Sequence, residues 1–116
     1  MKILFYYTGR GDSPVEDYVA GLPEHEQKQI DAALKNLAAL GTRGSSVPLR
    51  QIRGKLWEIK VQPHRIFYAL RTRSALVLLH AYRKQGQKAP RVEIETALMR
   101  LRKIEEQEAF DDSHDD

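Results

Sequence analysis

The chain has 116 residues, 41% of them hydrophobic and 30% charged, which is the composition of one ordinary globular domain. It contains no cysteine, which excludes a disulfide scaffold and a thiolate metal site and favours a reducing compartment. The formal net charge is +3, but the last letters, DDSHDD, hold four Asp, so residues 1–110 carry +7. Such a positive domain attracts phosphate-bearing partners without specifying any chemistry.

Residues 2–8 are rich in Ile, Leu, Phe and Tyr and predict a first strand. The segment lacks the long apolar stretch and cleavage site of a signal peptide. No apolar run in the chain approaches the roughly 20 residues that cross a bilayer. We therefore expect a cytoplasmic protein that has no membrane partner.

The letters SPVE predict a helix start, with Ser13 as N-cap, Pro14 at the first helical position and Glu16 closing a capping box. Gly21 ends this short helix. A longer helix is predicted from Pro23 to a cap at Gly41. Its apolar stripe has helical spacing and consists of Ile30, Leu34, Leu37 and Leu40.

The second half of the chain predicts three antiparallel strands and one helix. After a loop with room for a short strand come the runs KLWEIKV, RIFYALR and ALVLLHAYR, then the basic loop RKQGQKAP. The last helix starts at Pro90, and its apolar stripe consists of Ile94, Ala97, Leu98, Leu101 and Ile104. The order predicts an α+β fold in which a helical hairpin and a C-terminal helix pack on one sheet. We expect one domain over residues 1–110 and an acidic, disordered tail over residues 111–116.

Side chains alternate between the faces of a sheet, so the turns decide which residues share a face. With two-residue turns at Pro63-His64 and Thr72-Arg73, one face is apolar and is expected to carry the helices. It collects Trp57, Ile59, Val61, Ile66, Tyr68, Leu70, Val77, Leu79 and Ala81.

The same register predicts a cationic patch at one end of the opposite face. Arg65 is expected to lie opposite His80, with Lys60 on a diagonal and Tyr82 one pleat further. The loop cations that leave the sheet at that end are Arg83, Lys84 and Lys88. A turn with an odd number of residues would instead place His80 under the helices, and the other cations could be a solvated sheet face.

Lys, Arg, His and Tyr side chains suit cleavage of RNA by its own 2′-hydroxyl. The four His have no ligand spacing typical of a metal site, so neither a metal nor another cofactor is expected. Metal-independent cleavage needs a base, charge stabilisation on the phosphate and an acid for the leaving oxygen. A Lys among Arg residues is a candidate base, and Tyr82 or Phe67 could stack an unpaired nucleobase.

Two stretches carry a resemblance to a known family: GKLWEIKVQPHRIFYAL and LLHAYRKQGQKAPRVEIETAL. They closely resemble the phage-related HigB-like branch of the RelE/ParE toxin superfamily, and the similarity runs from the first strand to the last helix. The motifs GKLWE, HRIFY and RKQGQKAP are fairly specific to that branch. The resemblance implies a RelE-like fold and the toxin of a type II toxin–antitoxin pair. Such toxins cleave messenger RNA, typically in the ribosomal A site, and are silenced by a cognate antitoxin, often a helix-turn-helix protein.

The resemblance also implies roles for the cations. Lys60 in EIKV resembles the residue that activates the hydroxyl, and Arg65 in HRIFY resembles the residue that stabilises the phosphate. Arg83 or Lys84 in YRKQ resembles the basic residue that assists the leaving group.

The sequence departs from the RelE pattern at two points. Glu58 stands where RelE has a second strand Lys, and the C-terminal catalytic Tyr or His of relatives has no evident match. His80 or Tyr82 is therefore expected to substitute as a catalytic residue. The residues expected to contact RNA are Lys55, Lys88, Tyr82 and Arg53.

Two other functions fit the same sequence features. The chain could be a non-nucleolytic gyrase inhibitor, as on the ParE side of the superfamily, or a phage-derived module that binds RNA or protein without catalysis. An antitoxin is expected to contact the surface of residues 91–107 or an exposed edge strand.

Overall fold

The structure, a computed structural model, describes residues 1–88 and 90–114. Within them lie β1 (Lys2–Phe5), α1 (Pro14–Ala20), α2 (Glu24–Gly44), β2 (Leu49–Arg53), β3 (Leu56–Val61), β4 (His64–Thr72), β5 (Ala75–Arg83) and α3 (Arg91–His114). The strands form one mixed sheet in the order β1-β5-β4-β3-β2, in which β1 runs parallel to β5 and the other pairs are antiparallel. The predicted α+β class is confirmed, and the arrangement agrees with the RelE-like fold that the resemblance implies.

Helices cover both faces of the sheet. On one face, α1 and α2 pack on a core that contains Ile59, Ile66, Tyr68, Leu76, Leu78 and Ala81. On the other face, α3 contributes Ala97 and Leu101 to a second core with Leu56, Phe67, Ala69, Val77, Leu79 and Tyr82. The expectation that all helices share one face is therefore wrong. The sheet is apolar on both sides, and each apolar face needs its own cover.

The register differs from the predicted one because the turns lie one residue away from the expected positions. Lys60 pairs with Arg65 across the turn Gln62-Pro63, and Arg65 pairs with Tyr82 rather than with His80, whose partner is Phe67. Both predicted and observed turns have two residues, so the faces of β3 and of most of β4 are as predicted.

A bulge in β5 reverses the predicted faces of several residues. The pair Phe67–His80 is followed by Tyr68–Leu78, so Leu79 is an extra residue on β5. Val77 and Leu79 consequently lie in the α3 core instead of facing α1 and α2. Turn spacing alone carries no sign of such a bulge.

The N-terminal helices match the predicted boundaries closely but not in every contact. Pro14 starts α1 as predicted, but Ser13 makes no side-chain cap, and Glu16 accepts a hydrogen bond from the Tyr7 hydroxyl instead. Helix α2 breaks at the predicted Gly41, where φ is 75°, before a last turn to Gly44. Leu40, the residue before that break, is exposed rather than part of the core.

Helix α3 buries the predicted stripe and extends further than expected. Ala97 and Leu101 are buried, with Ile94, Leu98 and Ile104 packed beside them. The backbone remains helical to His114, so residues 111–114 of the expected tail are helical here, and residues 115–116 lie outside the described residues. None of the described helices combines the length and the apolar character that crossing a membrane requires.

The α2 stripe yields a direct test of this packing. Leu37 is fully buried, so Leu37→Ala is expected to lower the free energy of unfolding by about 2–5 kcal/mol. Leu40→Ala, in the same stripe but exposed, is expected to change it by less than about 0.5 kcal/mol. Urea denaturation of both variants measures the difference. Equal losses would contradict the exit of the chain from the core after Leu37.

Candidate functional site: a basic cleft at one end of the sheet

A cleft of about 300 Å³ lies where β2 begins, β3 ends, β4 begins and the chain leaves β5. We call it the basic cleft, and its lining residues are Pro48, Leu49, Arg50, Glu58, Lys60, Arg65 and Lys84. Four cations thus surround one carboxylate. A volume of this size is at the small end for ligand sites, about 300–1,000 Å³, and suits part of a longer ligand.

Strand pairing brings these side chains together. Arg50 pairs with Glu58 across β2 and β3, and Lys60 pairs with Arg65 across β3 and β4. Glu58 and Lys60 are two residues apart on one strand and therefore point to the same face. The backbone N–H of Lys84 donates to the carbonyl of Pro63 at 2.9 Å, which holds the start of the basic loop against the β3–β4 turn.

A buried ion pair forms the floor of the cleft. Arg65 is 5% exposed and Glu58 is 3% exposed, and Arg65 Nε lies 3.6 Å from Glu58 Oε1. The Arg65 Nη1 atom donates to the side-chain oxygen of Gln62 at 2.8 Å and to the carbonyl of His64 at 3.0 Å. Arg50 Nη2 approaches the same Glu58 oxygen at 3.4 Å from the solvent side. A buried charge without a partner of opposite sign or hydrogen bonds would destabilise the fold. The Arg65 guanidinium is therefore held in place by its contacts with Glu58, Gln62 and His64.

The structure separates the two candidates for the leaving-group cation. Lys84 lines the basic cleft, whereas Arg83 points to the opposite face and donates to Glu26 at 2.8 Å. Alternation along the strand explains the difference, because adjacent residues face opposite sides. Lys84 is therefore the one that shares a site with Lys60 and Arg65.

A more open groove of about 440 Å³ adjoins the basic cleft at Arg50, which lines both. Lys88 and Gln87 contribute to this groove from the basic loop, and Ile94 contributes from α3. The predicted RNA-contacting residue Lys88 thus lies beside the cleft. Together the two hollows form a track that an extended chain could follow.

Two other predicted RNA-contacting residues lie elsewhere. Lys55 sits in the β2–β3 turn, at the far end of β3 from Lys60, and its ammonium pairs with Glu105 of α3 at 3.1 Å. Arg53 ends β2 beside that turn. The structure does not bring either residue to the basic cleft.

The expected aromatic stacking surface is covered. Phe67 and Tyr82 are buried beneath α3, with ring centroids 5.4 Å apart. The Tyr82 hydroxyl donates to Glu58 at 3.4 Å, and burial followed by the charge of Glu58 raises the pKa of Tyr82 to about 12. Tyr82 therefore supports the floor of the cleft as a neutral donor, and neither ring is available to a nucleobase while α3 is in place.

His80 belongs to the interface between β5 and α3. Its Nε2 atom contacts the Glu93 carboxylate, and its Nδ1 lies 3.0 Å from Arg100 Nη1. Because Arg100 can only donate, Nδ1 is the acceptor and the ring proton sits on Nε2. The sequence left open that His80 lies under a helix instead of in an exposed patch. The structure places it under a helix, and that helix is α3.

A second polar cluster lies under α1 and α2 and was not identified from the sequence. His64 is fully buried, and its Nε2 lies 2.7 Å from Glu26 Oε1 while its Nδ1 lies 2.6 Å from the Tyr18 hydroxyl. The hydrogen bond from His64 is the main cause that lowers the pKa of Glu26, and the charge of Arg83 adds to it. This cluster was not predicted because the sequence register put His64 in a turn. A signal for it was present: His64 is adjacent to Arg65, so on a strand the two side chains point to opposite faces of the sheet.

Among the residues whose side chains the structure describes, 1–88 and 90–108, no group of three or more His, Cys, Asp or Glu could hold a metal ion. The chemistry that the basic cleft itself can supply is binding of an anion and stabilisation of growing negative charge, with an exposed Lys60 amine as a proton-transfer group.

The fold and the cleft define a small α+β domain with a cationic site at one end of its sheet. Residues 17–102 match the model of the family described as phage derived protein Gp49-like (DUF891). This match covers well over half of the chain, which therefore belongs to that phage-derived family. No curated protein shows a significant match to it.

The Glu26 cluster predicts a pH-dependent contribution to stability. Because the folded-state pKa of Glu26 is lowered from 4.5, its stabilising effect is complete above that value and is lost as pH falls through the lower folded-state pKa. The difference in Tm between the unmodified protein and Glu26→Gln should therefore be largest near neutrality and shrink as the pH is lowered below 4.5.

Glu24→Gln is the matched control, since Glu24 is exposed on the same helical turn and pairs only with the exposed Lys28 among the described residues. Thermal melts of the three proteins across this pH range make the measurement. A constant Tm difference for Glu26→Gln would contradict the role of its carboxylate charge.

Proposed function

We propose that this protein is the toxin of a type II toxin–antitoxin pair, of the HigB-like branch, and that it cleaves messenger RNA on the ribosome. The observation that carries the proposal is the basic cleft, with Arg65 fixed by Glu58 between Lys60 and Lys84. Membership of a phage-derived family supports it, because the sequence motifs resemble the phage-related toxin branch. The proposed partner is a cognate antitoxin, a small helix-turn-helix protein.

The proposed reaction is metal-independent attack of the RNA 2′-hydroxyl on the adjacent phosphorus. Lys60 takes the hydroxyl proton, the new O–P bond forms a 2′,3′-cyclic phosphate, and the bond to the 5′ oxygen breaks. Lys84 is the cation placed to assist the departing oxygen. The guanidinium of Arg65 stabilises the charge on the pentavalent phosphate, and it is oriented before the substrate arrives, which is when such a donor is most effective.

Burial of the Arg65–Glu58 pair gives Glu58 a positioning role. Its carboxylate contacts both guanidinium groups, at 3.4 Å from Arg50 and 3.6 Å from Arg65. In the relatives that the sequence resembles, a Lys stands on this strand instead. Compared with those relatives, this protein has one cation fewer in the site, and the anion in its place, Glu58, holds Arg50 and Arg65.

Lys60 and Lys84 are the best residues for testing the reaction. Lys60 is exposed and Lys84 is half-buried, so Lys60→Met and Lys84→Met should leave the fold intact. Each is expected to lower the rate of RNA cleavage roughly 100-fold, as loss of one charge-stabilising or proton-transfer group does. Arg102→Met, on the exposed side of α3, is the matched control and should cleave normally.

The measurement is primer-extension mapping of transcript ends, on programmed ribosomes and on free RNA, with circular dichroism to verify folding. Arg65→Ala is a weaker choice, since removing one partner of a buried pair costs about 3–5 kcal/mol of stability. Growth arrest with intact messenger RNA and a DNA-damage response would refute cleavage and favour gyrase inhibition. Binding of RNA without any product would favour a non-catalytic module.

A further inference from the structure

Two exposed leucines mark a second concave surface. Leu40 is 55% exposed and Leu70 is 51% exposed; Leu70 lines two hollows of about 550 and 500 Å³, and Leu40 lines the first of them. Thr42, Arg43 and Leu70 line both hollows, so the two are one continuous groove, which we call the Leu40–Leu70 groove. Leu49 and Trp57 supply its apolar wall.

The end of α2 borders this groove. Leu37 is buried but Leu40 is exposed, and the backbone at the next residue, Gly41, has a φ of 75° and also lines the groove. Leu70 lies near the end of β4. Exposed apolar side chains gathered in one concave region are typical of a surface that binds another polypeptide.

The rim of the groove is positively charged. Arg43 and Arg73 line it, both are exposed, and neither forms a salt bridge with any residue that the structure describes. No carboxylate of a described residue lines either hollow. A ligand that neutralises this rim must therefore bring its own negative charges.

We propose that the Leu40–Leu70 groove binds an amphipathic helix of a partner protein, which inserts apolar side chains and places Asp or Glu beside Arg43 and Arg73. A helix presents anchors at i, i+3, i+4 and i+7 along one face, which matches an elongated apolar groove. Single-stranded RNA fits less well, because the exposed apolar side chains of the groove are leucines, whereas its aromatic residues, Trp57 and Tyr68, are half-buried and buried.

Trp57 and Leu70 of the groove lie toward one end of β3 and β4, on the side of α1 and α2, whereas Lys60 and Arg65 of the basic cleft lie toward the other end. The two sites meet at Leu49, at the start of edge strand β2, which lines both. None of the four cations of the cleft lines the groove, so a helix bound in the groove has different charged partners. The surface is a place of attachment, and the proposal stands whether or not the cleft cleaves RNA.

Trp57 provides the readout, since it is the one tryptophan in the sequence and lines the groove. The probe is a crosslinked helical peptide of about 18 residues, with Leu at i, i+3, i+4 and i+7 and flanking Glu. Its titration into the full chain should give a saturable blue shift of Trp57 fluorescence. A matched peptide with Lys in place of Glu should bind at least roughly tenfold more weakly.

Variants of the protein locate the binding surface. Leu70→Ser and the double variant Arg43→Glu, Arg73→Glu should each weaken peptide binding by roughly tenfold or more. Val92→Ser removes another exposed apolar side chain, on α3, and should bind the peptide normally. Lys60→Met should also bind normally, which separates this result from the test of RNA cleavage.

Four outcomes would overturn the proposal. The first is the absence of a saturable fluorescence change with the acidic peptide, and the second is equal binding of the lysine peptide. The third is displacement of the acidic peptide by single-stranded RNA. The fourth is concentration-dependent dimerisation that Leu70→Ser abolishes, which would make a second copy of this chain the occupant.

Discussion

A sheet that is apolar on both faces must be covered on both faces, and this requirement organises the whole molecule. Helices α1 and α2 bury Ile66 and Leu78, while α3 buries Phe67 and Leu79. The bulge at Leu79 lets β5 supply large apolar side chains to both layers near the same point. Where the helices stop short of the strand ends, the sheet is left open, and both surface sites lie at these uncovered ends.

Buried charge is the second constraint, because an ionised group taken out of water requires partners of opposite sign. Among the described residues, Glu58 meets it with Arg65 on the α3 side, and Glu26 meets it with Arg83 and a hydrogen bond to His64 under α1 and α2. The two clusters use different arginine side chains. Arg65 serves the cleft, whereas Arg83 is committed to Glu26.

The two ends of the sheet offer different chemistry. Around the basic cleft, polar and charged groups converge on a space suited to a phosphate and its neighbours. At the Leu40–Leu70 groove, apolar side chains dominate and the charges stand on the rim. The same positive sign at both ends explains why net charge alone, read from the composition, could not distinguish the polar cleft from the apolar groove.

The sequence by itself determined the kinds and order of the elements, the apolar stripe of α3, the break at Gly41 and the cationic character of one sheet end. These follow from local preferences and periodicity, which neighbouring residues along the chain impose on each other. Only the tertiary structure decided that His80 lies under α3, that Tyr82 is a buried donor, and that Lys84 rather than Arg83 lines the cleft. The first two placements follow from the packing of α3 on the face that carries His80 and Tyr82, and the cross-strand partners follow from the turn position at Gln62-Pro63 and the bulge at Leu79. A shift of one residue changes every partner across a strand without altering the local pattern from which the strand was predicted.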